Sequence, residues 1–159
     1  MTAAHSIMGL AVCVIVCFGA AGIGSFLTMA SIPTWYAALK KPGWVPPNWI
    51  FGPVWSALYA MMAVAMWLVW RQGGLATAAL PAMIFGVQLA LNVAWSAIFF
   101  RLHKPGAAFA EIIALWLAIL ATLILFWRSD VMAGLLMAPY LAWVSFAAVL
   151  NYTVWRLNP

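Results

Sequence analysis

Two carboxamides, Gln88 and Asn92, stand four residues apart, Trp95 follows three positions later, and a third amide, Asn151, lies close to the far end of the chain. Inside hydrocarbon such side chains either join neighbouring helices by hydrogen bonds or orient a ligand, and the residues alone leave both roles open. Aromatic rings recur at matching intervals. Trp55 and Tyr59 are four apart, and Tyr140, Trp143 and Ala147 follow an i, i+3, i+7 path, so each set occupies one helical face. Rings converging on a cavity would suit a flat, largely apolar molecule with a few polar groups, whereas for any one ring ordinary core packing serves equally well.

Catalytic chemistry has little to work with. The chain carries only two carboxylates, and its Ser, Thr, His and Asp residues form no hydrolase elbow, metal-ligand spacing or phosphate loop. No catalytic residue, metal or cofactor is therefore assigned. Glu111 reads either as a helix-start carboxylate favoured by the dipole or as a functional intramembrane acid. Cys13 and Cys17 share one helical face with no His or carboxylate beside them, and are read as buried thiols rather than a metal or redox pair.

The elements that must position these residues follow from composition. Of 159 residues, 69% are hydrophobic and 6% charged, against roughly 25% charged in a soluble domain. Five predominantly apolar runs can each supply the ~20 residues that cross a bilayer: Ser6 to Met29, Trp49 to Trp70, Leu80 to Phe100, Ala107 to Trp127 and Val131 to Trp155. Membrane β-strands would alternate polar and apolar positions, which these runs do not. The fold expected is all-α, an integral membrane bundle of five transmembrane helices forming one domain, residues 1–159. "GAAGIG" lies within the first span and so is not a nucleotide loop.

Net charge of +5 reports orientation here rather than nucleic-acid binding. Lys40, Lys41, Arg101, Lys104 and Arg156 fall on one side and Arg71 with Arg128 on the other, so the first loop and the C-terminal end are expected in the cytoplasm. "RQGGLATA", "RLHKPG" and "RSD" are short connections that force antiparallel neighbours. Gly73-Gly74 is expected to stop the second helix, and Ser129 or Asp130 to cap the fifth. Small residues at Ala20 and Gly24, and at Ala110, Ala114 and Ala118, form stripes that pack helices within the subunit or join two subunits.

The one long connection, Ser31 to Asn48, is not written as a disordered segment. Pro33 can open a short helix that puts Trp35, Tyr36 and Leu39 near one apolar face, and Pro42, Pro46 and Pro47 stiffen the remainder of the loop. A fixed lid is expected, with Trp44 and Trp49 at the interface or the pocket. Its lysines hold that end in water or meet acidic groups of a ligand.

The stretches "WYAALKKPGWVPPNWIFGPVWSALY", "QLALNVAW" and "PYLAWVSFAAVLNYTVWR" together resemble the TspO/MBR family of tryptophan-rich sensory and translocator proteins, in order along nearly the whole chain. The resemblance implies a five-helix membrane bundle, often a homodimer, that binds porphyrins and other tetrapyrroles, sterols and drug-like ligands beneath its first loop and acts in tetrapyrrole transport or sensing. It implies pocket roles for Trp55, Asn92, Trp143, Ala147 and Leu150, to which Tyr59 and Trp95 are added from their spacing. It also implies a sterol-recognition motif on Leu150, Tyr152 and Arg156, while the lid read from the first loop itself carries Trp35, Trp44, Pro46 and Pro47. A bacterial envelope membrane is favoured over the mitochondrial outer membrane. The alternative activity is light- and oxygen-dependent porphyrin breakdown, with Trp55 and Trp143 as redox partners.

Overall fold

The computed structural model describes residues 2–159 and contains five long helices: α1 (Ala3–Met29), α2 (Asn48–Gly73), α3 (Leu75–Ser96), α4 (Pro105–Ser129) and α5 (Val131–Leu157). α3 runs on through a π-helical turn, Ala97–Arg101, to make a fifth candidate span, Ala76–Arg101, beside the other four helices. At 1.5 Å per residue, spans of 25 to 27 residues exceed the ~30 Å hydrocarbon thickness, which fits a multi-pass integral membrane protein.

The apolar runs placed the helix cores correctly but missed some ends. "RQGGLATA" is not an open loop: helix continues through Gly73, the chain reverses at Gly74 alone, and α3 starts at Leu75, before the expected Leu80. Gly74 sits at φ +68 and donates its N–H to Trp70 O at 2.8 Å, a left-handed stop that a side chain would strain. Pro81 lies in the second turn of α3, where the helix absorbs it. Asp130 caps α5, its Oδ1 accepting from the N–H groups of Met132 (2.8 Å) and Ala133 (3.1 Å), while Oδ2 accepts from Gln72 Nε2.

The helices close into a ring in the order α1, α2, α5, α4, α3, with α2 also touching α3 across it. Small residues allow the closest approaches. Gly9 of α1 meets the Trp70 ring, Gly106 meets Trp155, and Gly134 meets both backbone and ring of Trp127. The α1 stripe packs within the subunit: Ala20 joins the core and a Cβ on Gly24 would lie 3.6 Å from Ser96 Oγ. Ala110 and Ala114 of the α4 stripe instead face outward. At the end remote from the first loop the interior is solid, filled by Met62, Ala65, Ile119, Phe126 and Met137. Cys13 and Cys17 are buried free thiols in this same core.

The first loop is ordered by its own bonds. It opens with a π-helical turn, Ile32–Tyr36, closed by the Tyr36 N–H donating to Ser31 O at 2.8 Å. Lys41 then folds back over Tyr36, its Nζ donating to Tyr36 O at 2.7 Å and Leu39 O at 3.0 Å. That lysine caps a helix end rather than facing the cavity, as expected of a cation near unpaired carbonyls.

Candidate functional site

A cavity of about 470 Å³ opens under the first loop, between α1, α2, α3 and α5. Its size falls in the range typical of small-molecule sites. Trp55, Tyr59, Asn92, Trp95, Trp143, Ala147 and Leu150 all lie on its wall, together with Asn151. Helical spacing explains the convergence. Trp55 and Tyr59 sit on one face of α2, with ring centroids 5.8 Å apart, and Trp55 meets Tyr140 of α5 edge-on at 6.1 Å. Trp143 is braced between Phe51 (5.8 Å) and Phe146 (5.4 Å).

The amides settle into a chain of hydrogen bonds across three helices. Tyr59 OH donates to Asn92 Oδ1 (2.9 Å), Asn92 Nδ2 donates to the Tyr140 hydroxyl (2.7 Å), and that hydroxyl donates to Gln88 Oε1 (2.8 Å). Gln88 Nε2 ends the chain against Met62 Sδ at 3.7 Å. Tyr140 and Gln88 lie fully buried behind the wall, so the chain forms a floor between the cavity and the solid half of the bundle. A second pair seals the side, with Trp95 Nε1 donating to Asn151 Oδ1 (2.9 Å) and Asn151 Nδ2 to Pro105 O (2.8 Å).

Interhelical bonding therefore engages the amides first, and Asn92 meets the cavity with both ends of its carboxamide already in use. The indole N–H groups of Trp55 and Trp143 differ: neither has a partner among the described residues, whereas those of Trp67, Trp95 and Trp116 do. No charged side chain stands on the wall among the described residues. The site can offer broad ring faces and a few neutral donors, and it disfavours any buried charge.

The remaining sequence candidates fall elsewhere. Trp35, Trp44, Pro46 and Pro47 are off the wall, and the loop reaches the cavity through Ile32 and Tyr36, followed by Asn48 and Trp49 as α2 begins. Trp35 is drawn away by a stack on the His103 ring (4.4 Å) and an edge contact with Phe99 (5.5 Å), and Trp44 packs edge-on against Phe146 (5.9 Å). Burial pushes the Tyr36 phenol above its ordinary pKa. Of the sterol motif, Leu150 faces the cavity while Tyr152, 44% exposed, lies outside against Phe109 at 5.1 Å, and Arg156 is also exposed. Two residues along a helix turn the side chain by ~200°, so Leu150 and Tyr152 cannot share a face. Glu111 carries two buried carboxylate oxygens without a hydrogen-bond partner among the described residues, and it lies off the cavity wall.

Sequence reasoning missed the wall residues Phe18 and Ser25 of α1 and the Phe99 ring of the π-helical turn, and of the two roles left open for Trp49 the cavity wall is where it stands. Phe99 stacks on Trp95 at 5.2 Å, and the pair's i, i+4 spacing was the available signal.

The model of the TspO/MBR family matches residues 11–156. Protein CrtK of Rhodobacter capsulatus is 43% identical over 147 residues, covering 90% of this chain and 87% of its own. Tryptophan-rich protein TspO of Chlorobaculum tepidum is 40% identical over 157 residues, covering 96% and 98%. Translocator protein of Homo sapiens is 43% identical over 126 residues, covering 78% and 75%. Five membrane-length helices around a tryptophan-walled cavity, and a family match along almost all of the sequence, together make this chain a member of the TspO/MBR family.

Proposed function

We propose that this protein is a membrane receptor or transporter that takes tetrapyrroles, sterols and drug-like ligands into the cavity beneath its first loop, and that it serves tetrapyrrole transport or sensing. The observation that carries this reading is the wall itself: four tryptophans, Trp49, Trp55, Trp95 and Trp143, around a space of about 470 Å³ with no charged side chain among the described residues. A planar ring system stacks on such faces, its edge acceptors meet the free indole N–H groups of Trp55 and Trp143, and charged substituents stay toward water at the loop end. The names of the relatives, a tryptophan-rich protein and a translocator protein, support a receptor or carrier role.

In this reading the whole chain acts as one domain of a bacterial envelope membrane, with the first loop cytoplasmic. A homodimer would use the outward α4 face at Ala110 and Ala114. Tyr152 and Arg156 would meet a sterol from the lipid side, apart from the cavity ligand.

The test is titration of the purified protein with protoporphyrin, followed by quenching of tryptophan fluorescence. Replacing Trp55 and Trp143 together by Phe removes two donors and part of the stacking surface, and is expected to weaken binding about tenfold, or ~1.4 kcal/mol. Unchanged affinity in the double variant removes these residues from the site.

A further inference from the structure

The first loop is fastened to the bundle at two places, and the second is a single side chain. At its start, Ser31 Oγ donates to Phe100 O at 2.5 Å and Trp35 stacks on His103. At its far part, Asn158, just beyond α5, meets the backbone of Lys40 as a neighbouring strand would. Its Oδ1 accepts the Lys40 N–H at 3.0 Å and its Nδ2 donates to Lys40 O at 2.9 Å, while also reaching Val154 O at 2.8 Å. Pro42, Pro46 and Pro47 have no N–H to offer, and the Lys41 bonds stay within the loop. Pro47 O accepts the Ile50 N–H at 3.0 Å as α2 begins; before that, among the described residues, Asn158 is the only hydrogen-bonded tie between the stretch from Lys40 to Pro46 and the helices, the other ties being apolar contacts of Trp44 and Val45.

We infer that Asn158 is a positioning residue that clamps the first loop over the cavity and sets the rate of ligand exchange rather than the affinity. A clamp that leaves the bound state and the empty closed state equally stable, and disfavours only the open one, slows entry and exit alike. The inference rests on the cavity being the ligand site, so the experiment reads the loop independently of any ligand.

The full chain is reconstituted in lipid nanodiscs as wild type, Asn158→Ala, Asn158→Asp and Lys40→Ala. Hydrogen exchange of the loop peptide is followed by mass spectrometry, and protoporphyrin association and dissociation by stopped flow. Asn158→Ala is expected to speed loop exchange and both ligand rates about tenfold, leaving Kd within about threefold. Asn158→Asp keeps the acceptor, loses the donor and falls between. Lys40→Ala keeps the main-chain groups and behaves as wild type, which separates the clamp from the lysine charge. Loop exchange unchanged in Asn158→Ala overturns the clamp. Faster exchange with unchanged ligand rates overturns its role in gating. Wild-type protein that takes up no protoporphyrin overturns the reading of the cavity and the kinetic half of the inference, and loop exchange then decides the clamp alone.

Discussion

Replacing Asn92 by Leu keeps the volume of the side chain and deletes the centre of the floor. Two hydrogen bonds go, one accepted from Tyr59 OH at 2.9 Å and one donated to Tyr140 at 2.7 Å. Interhelical side-chain bonds in membranes average ~0.6 kcal/mol and reach ~1.7, so the loss is expected at ~1.2 kcal/mol, with ~3.4 as a ceiling. Tyr59 lines the cavity and its freed hydroxyl can turn to it, whereas the Tyr140 hydroxyl is wholly buried and keeps only its bond to Gln88. The cost should therefore be shared unequally between the two partners. Reversible unfolding in mixed micelles, read by tryptophan fluorescence, gives the free energies for Asn92→Leu, Tyr59→Phe, Tyr140→Phe and the paired variants. The expected coupling is ~0.6 kcal/mol for Asn92 with Tyr59 and more for Asn92 with Tyr140, because the chain continues to Gln88. Additive free energies in both cycles would refute the floor as a connected unit and reduce these residues to independent packing.

Glycines divide by what a methyl group would meet. Gly134→Ala places a Cβ 2.8 Å from the Trp127 backbone, so the α4 to α5 turn must open, and a loss of ~1–3 kcal/mol is expected in the same unfolding assay. Gly22→Ala meets nothing within 4 Å and should raise helix stability by up to ~1 kcal/mol. Asp130→Ala strips the α5 cap and its bond to Gln72, and is expected to cost ~1 kcal/mol, with faster hydrogen exchange at Met132 and Ala133 as the local sign.

Five spans were legible because the solvent that selects them leaves a coarse mark: a long, predominantly apolar run can do little else than cross a membrane. Ends were less legible. "LATAA" before Leu80 carries loop-like small residues, yet nothing in it breaks a helix, and the actual break needs only the left-handed Gly74. Within the site, the i, i+4 and i, i+3 intervals exposed the ring-bearing faces of α2, α3 and α5, since those intervals are local. What joins distant parts left no such trace. The engagement of Asn92 by two tyrosines, the turn of Trp35 onto His103 and the hold of Asn158 on Lys40 depend on contacts far apart in the chain. The outward placement of Tyr152 was readable from helical rotation, but a linear motif ignores that rotation.

The π-helical turn at Ala97–Arg101 holds one residue more than an α-helical turn would, closed by the Leu102 N–H donating to Ala97 O at 2.9 Å. Holding the same residues at α-helical spacing would act as a twist, swinging everything downstream by ~100° about the axis. His103 would leave the Trp35 ring and Phe100 O would no longer meet Ser31. The fastening of the loop's first half is thus written into the width of one turn in another helix, and tightening that turn around the same residues would undo it without altering any side chain that makes the contact.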